Sequence, residues 1–225
     1  MKAAMLAIAL LAAAAPAAPM DSQEVIALYA KTLLEAPVPR VLVFTYTVSQ
    51  AGPHDIEQTH RIYRSGDEVR DETMLVDGVK QKTIRISRYR NRYTLEDLAP
   101  RLTQYTFLFD GVQRSGSTFE YAYHAVPNTP GGTFVIDSMV LNGRSYLPAL
   151  LRFHSYSGAI RGTGTITFVH AGKYWVPSGA SVDARVNGKP AREQIAFNGY
   201  RFPARLPQST FQARKPLPPA TLPAF

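Results

Sequence analysis

Past residue 20, positions recur at helical spacing in one convincing stretch. Val25, Leu28, Tyr29, Thr32, Leu33 and Ala36 repeat at intervals of three and four, behind Asp21 and with Glu24 three positions after it. The spacing predicts a single amphipathic helix over 21–36, about four turns long. Pro37 and Pro39 end it, and 41–48 (VLVFTYTV) is dense in β-branched and aromatic residues, the composition of a buried or half-buried strand.

The pattern after that has a period of two. Residues 56–64 alternate, with Ile56, Gln58, His60 and Ile62 on one face and Glu57, Thr59, Arg61 and Tyr63 on the other. Ser65-Gly66-Asp67 turns the chain into a return strand over 68–76, and Asp77-Gly78 signals a tight hairpin into 79–87. Around 94–98 one short helical turn is expected, ending at Pro100. Tyr105, Phe107 and Phe109 then share a face over 102–109, and Phe119, Tyr121 and Tyr123 do the same beyond a connection at 111–116. Further strands are expected over 134–141, 146–155, 163–170, 173–176, 180–186 and 191–197, with turns at Asn142-Gly143, Ala171-Gly172 and Asn187-Gly188. The expectation is a mainly β fold with one major N-terminal helix: an antiparallel meander of about nine to eleven strands. A sheet that long curls, so it should form a strongly curved half-barrel packed on the helix.

Composition adds a compartment. Met1-Lys2, an apolar run to Ala15 and Ala15-Pro16-Ala17 read as a signal peptide cleaved after Ala17, too short for the about 20 residues of a membrane span. Residues 18–212 are read as one β-rich domain, and 213–225 as a proline-rich tail lying extended on the surface. Neither lipid-bearing nor disulfide-forming cysteine is available, since the chain has none. A formal charge of +8 suits anionic lipid head groups or other polyanions, although the cations are spread along the chain. Arg85 to Tyr93 is the densest stretch, with Arg88, Arg90 and Arg92 on one face if extended. It is short and flanked by Glu96 and Asp97, so a nucleic-acid partner is not expected, and a charged edge strand accounts for it.

Catalytic signals are weak. No nucleophile elbow, metal-binding helix motif or phosphate loop is present, and His54, His60, His124, His154 and His170 lack metal-ligand spacing. Glu68, Asp71, Glu72 and Asp97 read as balance for nearby arginines. No cofactor and no metal are expected.

Three stretches nevertheless resemble the LolA-like family of periplasmic lipoprotein carriers and lipoprotein-sorting proteins. They are 25–29 (VIALY) with 44–48 (FTYTV), 61–72 (RIYRSGDEVRDE), and 199–203 (GYRFP) with 206–211 (LPQSTF). Ser65 stands where that family often has proline. The resemblance implies a periplasmic, non-enzymatic protein that shields a lipid, an acyl chain or a lipoprotein's acyl chains on an apolar concave face. Phe44, Tyr46, Tyr105, Phe107, Phe109, Phe119, Tyr121 and Tyr123 are the expected wall, each of which could equally fill a dry core. Arg64, Arg70, Arg88 and Arg90 are the expected partners of an anionic head group. An envelope hydrolase or a basic polyanion-binding module is the alternative. A His–carboxylate pair at a cavity mouth would favour the hydrolase.

Overall fold

The computed structural model of the chain describes residues 18–52, 55–88, 94–157 and 160–212. The expected signal peptide, the tail from 213 and Arg90 lie outside the described residues. Helix α1 (Ser22–Glu35) leads into β1 (Val41–Ala51), β2 (Ile56–Ser65), β3 (Glu68–Val76) and β4 (Val79–Arg88). A short α2 (Leu95–Leu98) precedes β5 (Tyr105–Ser115), β6 (Thr118–Pro127), β7 (Phe134–Asn142), β8 (Pro148–Ser157), β9 (Ile160–Ala171), β10 (Tyr174–Val186) and β11 (Lys189–Arg201). All eleven strands form one antiparallel sheet in the order β4-β3-β2-β1-β11-β10-β9-β8-β7-β6-β5. The expected meander is therefore two meanders: β1 to β4 and β5 to β11, joined where β1 pairs with β11. The two edges, β4 and β5, are neighbours in sequence.

Residues directly opposed in an antiparallel ladder share a face. One such row crosses the whole sheet: Val79, Val76, Gln58, Val48, Ile195, Ala180, Ile166, Leu151, Met139, Tyr123 and Phe109. We call this face inner, because α1 packs on it. Val25 and Tyr29 are fully buried among Tyr123, Met139, Leu151 and Ile166, while Leu34 on the far side of the helix is 86% exposed. Polar bonds fix the helix as well as apolar contact. The Asp21 carboxylate accepts from the backbone N–H of Gln23 and Glu24, capping the first turn. The Tyr123 hydroxyl donates to the Ser22 carbonyl at 2.7 Å, the Tyr121 hydroxyl accepts from Met20 N–H at 2.8 Å, and the Tyr29 hydroxyl donates to the Pro100 carbonyl at 2.5 Å.

Several local expectations change. The aromatic strand continues through Gly111 as β5, and the chain turns at Gly116-Ser117 instead, with Gly116 at φ 60°. Residues 174–176 and 180–186 belong to one strand, β10, interrupted by a register shift between Pro177 and Gly179, while Lys173 stays in the turn before it. Asp77-Gly78 and Asn187-Gly188 are tight turns with both residues at positive φ. Asn142-Gly143 is different: the Asn142 side chain accepts from Arg144 N–H and Ser145 N–H, making a wider loop closed at Leu147. Gly143 is there for proximity, since a Cβ would meet the Phe119 carbonyl at 2.3 Å. Beyond β11 the chain forms a 3-10 turn, Gln208–Phe211, against β3.

Candidate functional site

The eight aromatic positions expected to share a wall do share the inner face by register. They fall into two packed groups. Phe44 and Tyr46 join Leu42, Val48, Ile62, Val69 and Ile195, with Phe197, Tyr200 and Phe202 against them. Tyr121 and Tyr123 join the cluster under α1, with Tyr105, Phe107 and Phe119 packed on it. Ala180 touches both groups, so the apolar face is continuous. Phe109, on the edge strand, is 47% exposed and sits edge-on to Tyr123. Tyr105 has a structural task too: its hydroxyl accepts from Ile136 N–H, next to the register shift in β7. Burial pushes the Tyr123 phenol up to about 12, with the nearby Tyr121 and Asp21 adding to it, and burial raises Tyr29 and Tyr200 further. These phenols stay protonated donors at any neutral pH.

The four arginines separate. Arg64 opposes Leu42 and Val69 on the inner face, where its Nη1 is buried with no hydrogen-bond partner and its Nε donates to the Gly66 carbonyl. Arg70 lies on the opposite face, where its guanidinium bonds Glu72, donates to the Thr210 carbonyl and lies 5.9 Å from the Tyr63 ring. It holds the C-terminal turn on the sheet. Arg88 also faces away from the inner rows, strongly exposed and 3.3 Å from Glu68, a pair that contributes at most about 1 kcal/mol. Arg90 lies outside the described residues.

In the sequence, alternation put His60 on one face of its strand with Gln58 and Ile62, and Asp71 read as balance for nearby arginines. The structure brings them together: His60 Nδ1 is 2.8 Å from Asp71, its Nε2 is 3.0 Å from Gln58 Oε1, and its ring stacks on Tyr46 at 4.8 Å. A second pair, His154 with Asp137 at 2.6 Å, is half exposed. Both ring nitrogens of His60 are thus engaged by neighbouring side chains.

An open cavity of about 890 Å³ lies where β1 and β8 to β11 end. Its lining includes the register row Ala191, Ala184, Gly162 and Ser155, which follows the inner row Gln50, Glu193, Val182, Gly164 and Phe153. With nothing larger than a serine, that row is close to bare backbone. Arg161, Arg185, Arg192, His154, Tyr156 and Asp183 are also among its lining residues, at neighbouring strand positions that alternation turns to the opposite face of the sheet. The clue was in the sequence, in glycines at alternate positions 162 and 164 of a strand, where a row of missing side chains makes a groove.

Glu193 lies one row inward and takes a hydrogen bond from Gln50 Nε2. Its pKa is raised because burial penalises the charged form, more than the Gln50 bond offsets. The unfolded chain therefore loses this proton first, and ionised Glu193 works against folding above its native pKa. Glu193→Gln is expected to raise the melting temperature at pH 7. In thermal unfolding the gain should shrink as pH falls and vanish below about pH 4, where the carboxyl becomes protonated in both states.

No protein-family model and no curated protein matches the chain. Among solved structures, a domain from Vibrio parahaemolyticus described as an outer membrane lipoprotein-sorting protein domain superposes with TM-score 0.52 at 12% identity, over 85% of this chain and 97% of that one. A LolA superfamily protein from Nitrosomonas europaea aligns over 87% and 99% at 11% identity, with TM-score 0.48. The chain thus shares the fold of the Vibrio domain: a curled, unclosed antiparallel sheet with one major N-terminal helix. None of the helices among the described residues is long and apolar enough to cross a membrane.

Proposed function

We propose that this protein is a non-catalytic carrier of the bacterial envelope that shields an acyl chain or a similar apolar molecule, a lipoprotein's acyl chains included. The observation that supports it is the continuous apolar inner face, beyond which the row Ala191, Ala184, Gly162 and Ser155 is among the residues lining an open cavity of about 890 Å³. That volume lies within the range of about 300–1,000 Å³ usual for small-molecule sites. Each methylene taken from water contributes about 0.8 kcal/mol, so a chain of ten or more carbons needs no catalytic group to be held. The leader-like first 17 residues and the likeness to a lipoprotein-sorting domain both support the periplasm. The inner aromatics, from Phe44 and Tyr46 to Phe107 and Phe109, are the proposed wall behind the cavity, with Arg64 the inner-face arginine.

Two measurements test this. Native mass spectrometry of protein purified from periplasm should show a co-purified lipid, and a fluorescent fatty acid should bind the purified protein. Ala184→Phe, which fills the floor, should weaken that probe tenfold or more, because excluding about two methylenes is enough. Probe affinity unchanged in this variant would sink the cavity as the site.

The hydrolase reading has its own observation, the His154–Asp137 pair, whose histidine lines the cavity. It predicts that the protein cleaves acyl esters and that His154→Ala abolishes cleavage. The carrier reading predicts no turnover in either protein.

A further inference from the structure

The face of the sheet turned away from α1, its outer face, has rows of its own that follow from the register. One runs through Tyr156, Arg161, Arg185 and Pro190, each directly opposed to the next. Another carries Arg152 and continues through Ser138 and His124 to Leu108 on the edge strand. Like charges at opposed positions repel, and a sheet gains by setting an opposite charge there. Arg161 and Arg185 stand opposed without one. Among the described residues no carboxylate lies within salt-bridge distance of Arg152, Arg161 or Arg185, all three of them exposed. On β8 to β11 the outer rows hold one acidic residue, Asp183, and Arg192 binds it at 2.7 Å. Arg161 lies 5.0 Å from the centroid of the Tyr156 ring, which is itself 46% exposed. Leu108 and, on the same face, Val126 are exposed aliphatic side chains.

We infer that this outer face is a docking surface for an anionic lipid bilayer, with Arg152, Arg161 and Arg185 set against the head groups. Charge complementarity selects the occupant. The opposed pair sits on neighbouring strands and Arg152 is four residues from Tyr156 along β8, about 13 Å, so the cations are spread over a surface and match a plane of phosphates instead of one acid group. Counter-charge supplied from outside the protein relieves the repulsion that the sheet itself leaves standing. An exposed tyrosine beside the cations, and aliphatic side chains along the Arg152 row, suit the boundary between head groups and acyl chains. The inner face points the other way and stays clear of the bilayer. The inference goes beyond the carrier reading and stands without it, since it makes no use of what the inner face holds.

Co-sedimentation with vesicles tests it, using equal parts of phosphatidylglycerol and phosphatidylcholine against phosphatidylcholine alone. The wild-type protein is expected to partition onto the anionic vesicles about tenfold or more strongly than onto the neutral ones, and high salt should release it. The Arg161→Gln, Arg185→Gln double variant should lose about tenfold or more of that partitioning. Arg161→Lys with Arg185→Lys should keep it to within about twofold, because a bilayer reads charge and not the guanidinium fork. Arg114→Gln, an exposed arginine at an inner-face register position of β5, should leave it unchanged. Without vesicles the Gln double variant should melt no lower than wild type, since relieving an opposed like-charge pair removes repulsion, and its uptake of a fluorescent fatty acid should be that of wild type. Equal partitioning of wild type onto the two kinds of vesicle overturns the docking face. A Lys variant as weak as the Gln variant does so too, because it would mark a site for a single anion, and so does binding of heparin through these arginines with no attachment to vesicles, the mark of a soluble polyanion. Uptake of the acyl probe without attachment defeats the docking face alone; attachment without uptake supports it and defeats the carrier reading alone.

Discussion

Replacing Tyr29 with alanine is expected to lower stability by about 3–5 kcal/mol, the usual result of emptying a fully buried aromatic site. The ring stands edge-on to Phe107 with centroids 6.0 Å apart, and its hydroxyl reaches the Pro100 carbonyl just beyond α2. One side chain therefore ties α1 both to the edge strand β5 and to the connection that precedes it. Tyr29→Phe keeps the ring and removes the bond, leaving a buried carbonyl unpaired, so a smaller loss of about 1–3 kcal/mol is expected. Urea denaturation followed by far-UV circular dichroism measures both. A Tyr29→Ala loss below about 1 kcal/mol would mean that α1 is not seated as described.

Gly164→Ala is the second change with a large expected effect. A Cβ at that position would stand 2.4 Å from the Ser181 carbonyl oxygen and 2.6 Å from Phe153 Cζ. The backbone of β10 cannot retreat as a side chain can, so a loss at the upper end of the about 1–3 kcal/mol typical of overpacking is expected. Phe153→Leu added to it should restore part of the loss and no more, because the Ser181 clash remains. Acyl-probe uptake should fall with it, since Gly164 lies one row from the cavity floor. Full recovery in the double variant would show that the ring alone sets the need for glycine.

The elements that could be read from the chain are those where local chemistry decides. Asp21 and Glu24 with the stripe at Val25 and Tyr29 located α1 to within a residue at each end. Asp77-Gly78 and Asn187-Gly188 fixed two hairpins, because only a few residue types accept positive φ at both turn positions. Gly111 looked like the start of a connection and proved to be part of a strand, since a glycine within a strand and one that ends it look alike in sequence. The alternation of Tyr105, Phe107 and Phe109 with Phe119, Tyr121 and Tyr123 placed all six on the inner face. It did not show that two of those phenols anchor the start of α1, a contact between residues about a hundred positions apart. Register across an intervening turn, rather than distance along the chain, hid the His60–Asp71 pair and the division of Arg64 from Arg70. Strand order was equally out of reach, because hairpin signals report each strand's next neighbour and are silent on which two ends of the sheet meet.

That meeting, Val48 beside Ile195 and Tyr46 beside Phe197, governs how the chain must assemble. Each hairpin closes locally and fast, whereas the seam joins strands at opposite ends of the polypeptide and must wait for the loop closure between them. A chain that emerges N-terminus first carries 41–48, its most apolar strand, with one edge unpaired until Lys189–Arg201 has followed it out. During that interval β1 is the segment most exposed to aggregation and the one a holding chaperone would grip. The last strand thus acts as a completeness check: a chain cut short before residue 189 leaves two raw edges in the middle of the sheet and becomes a substrate for proteolysis.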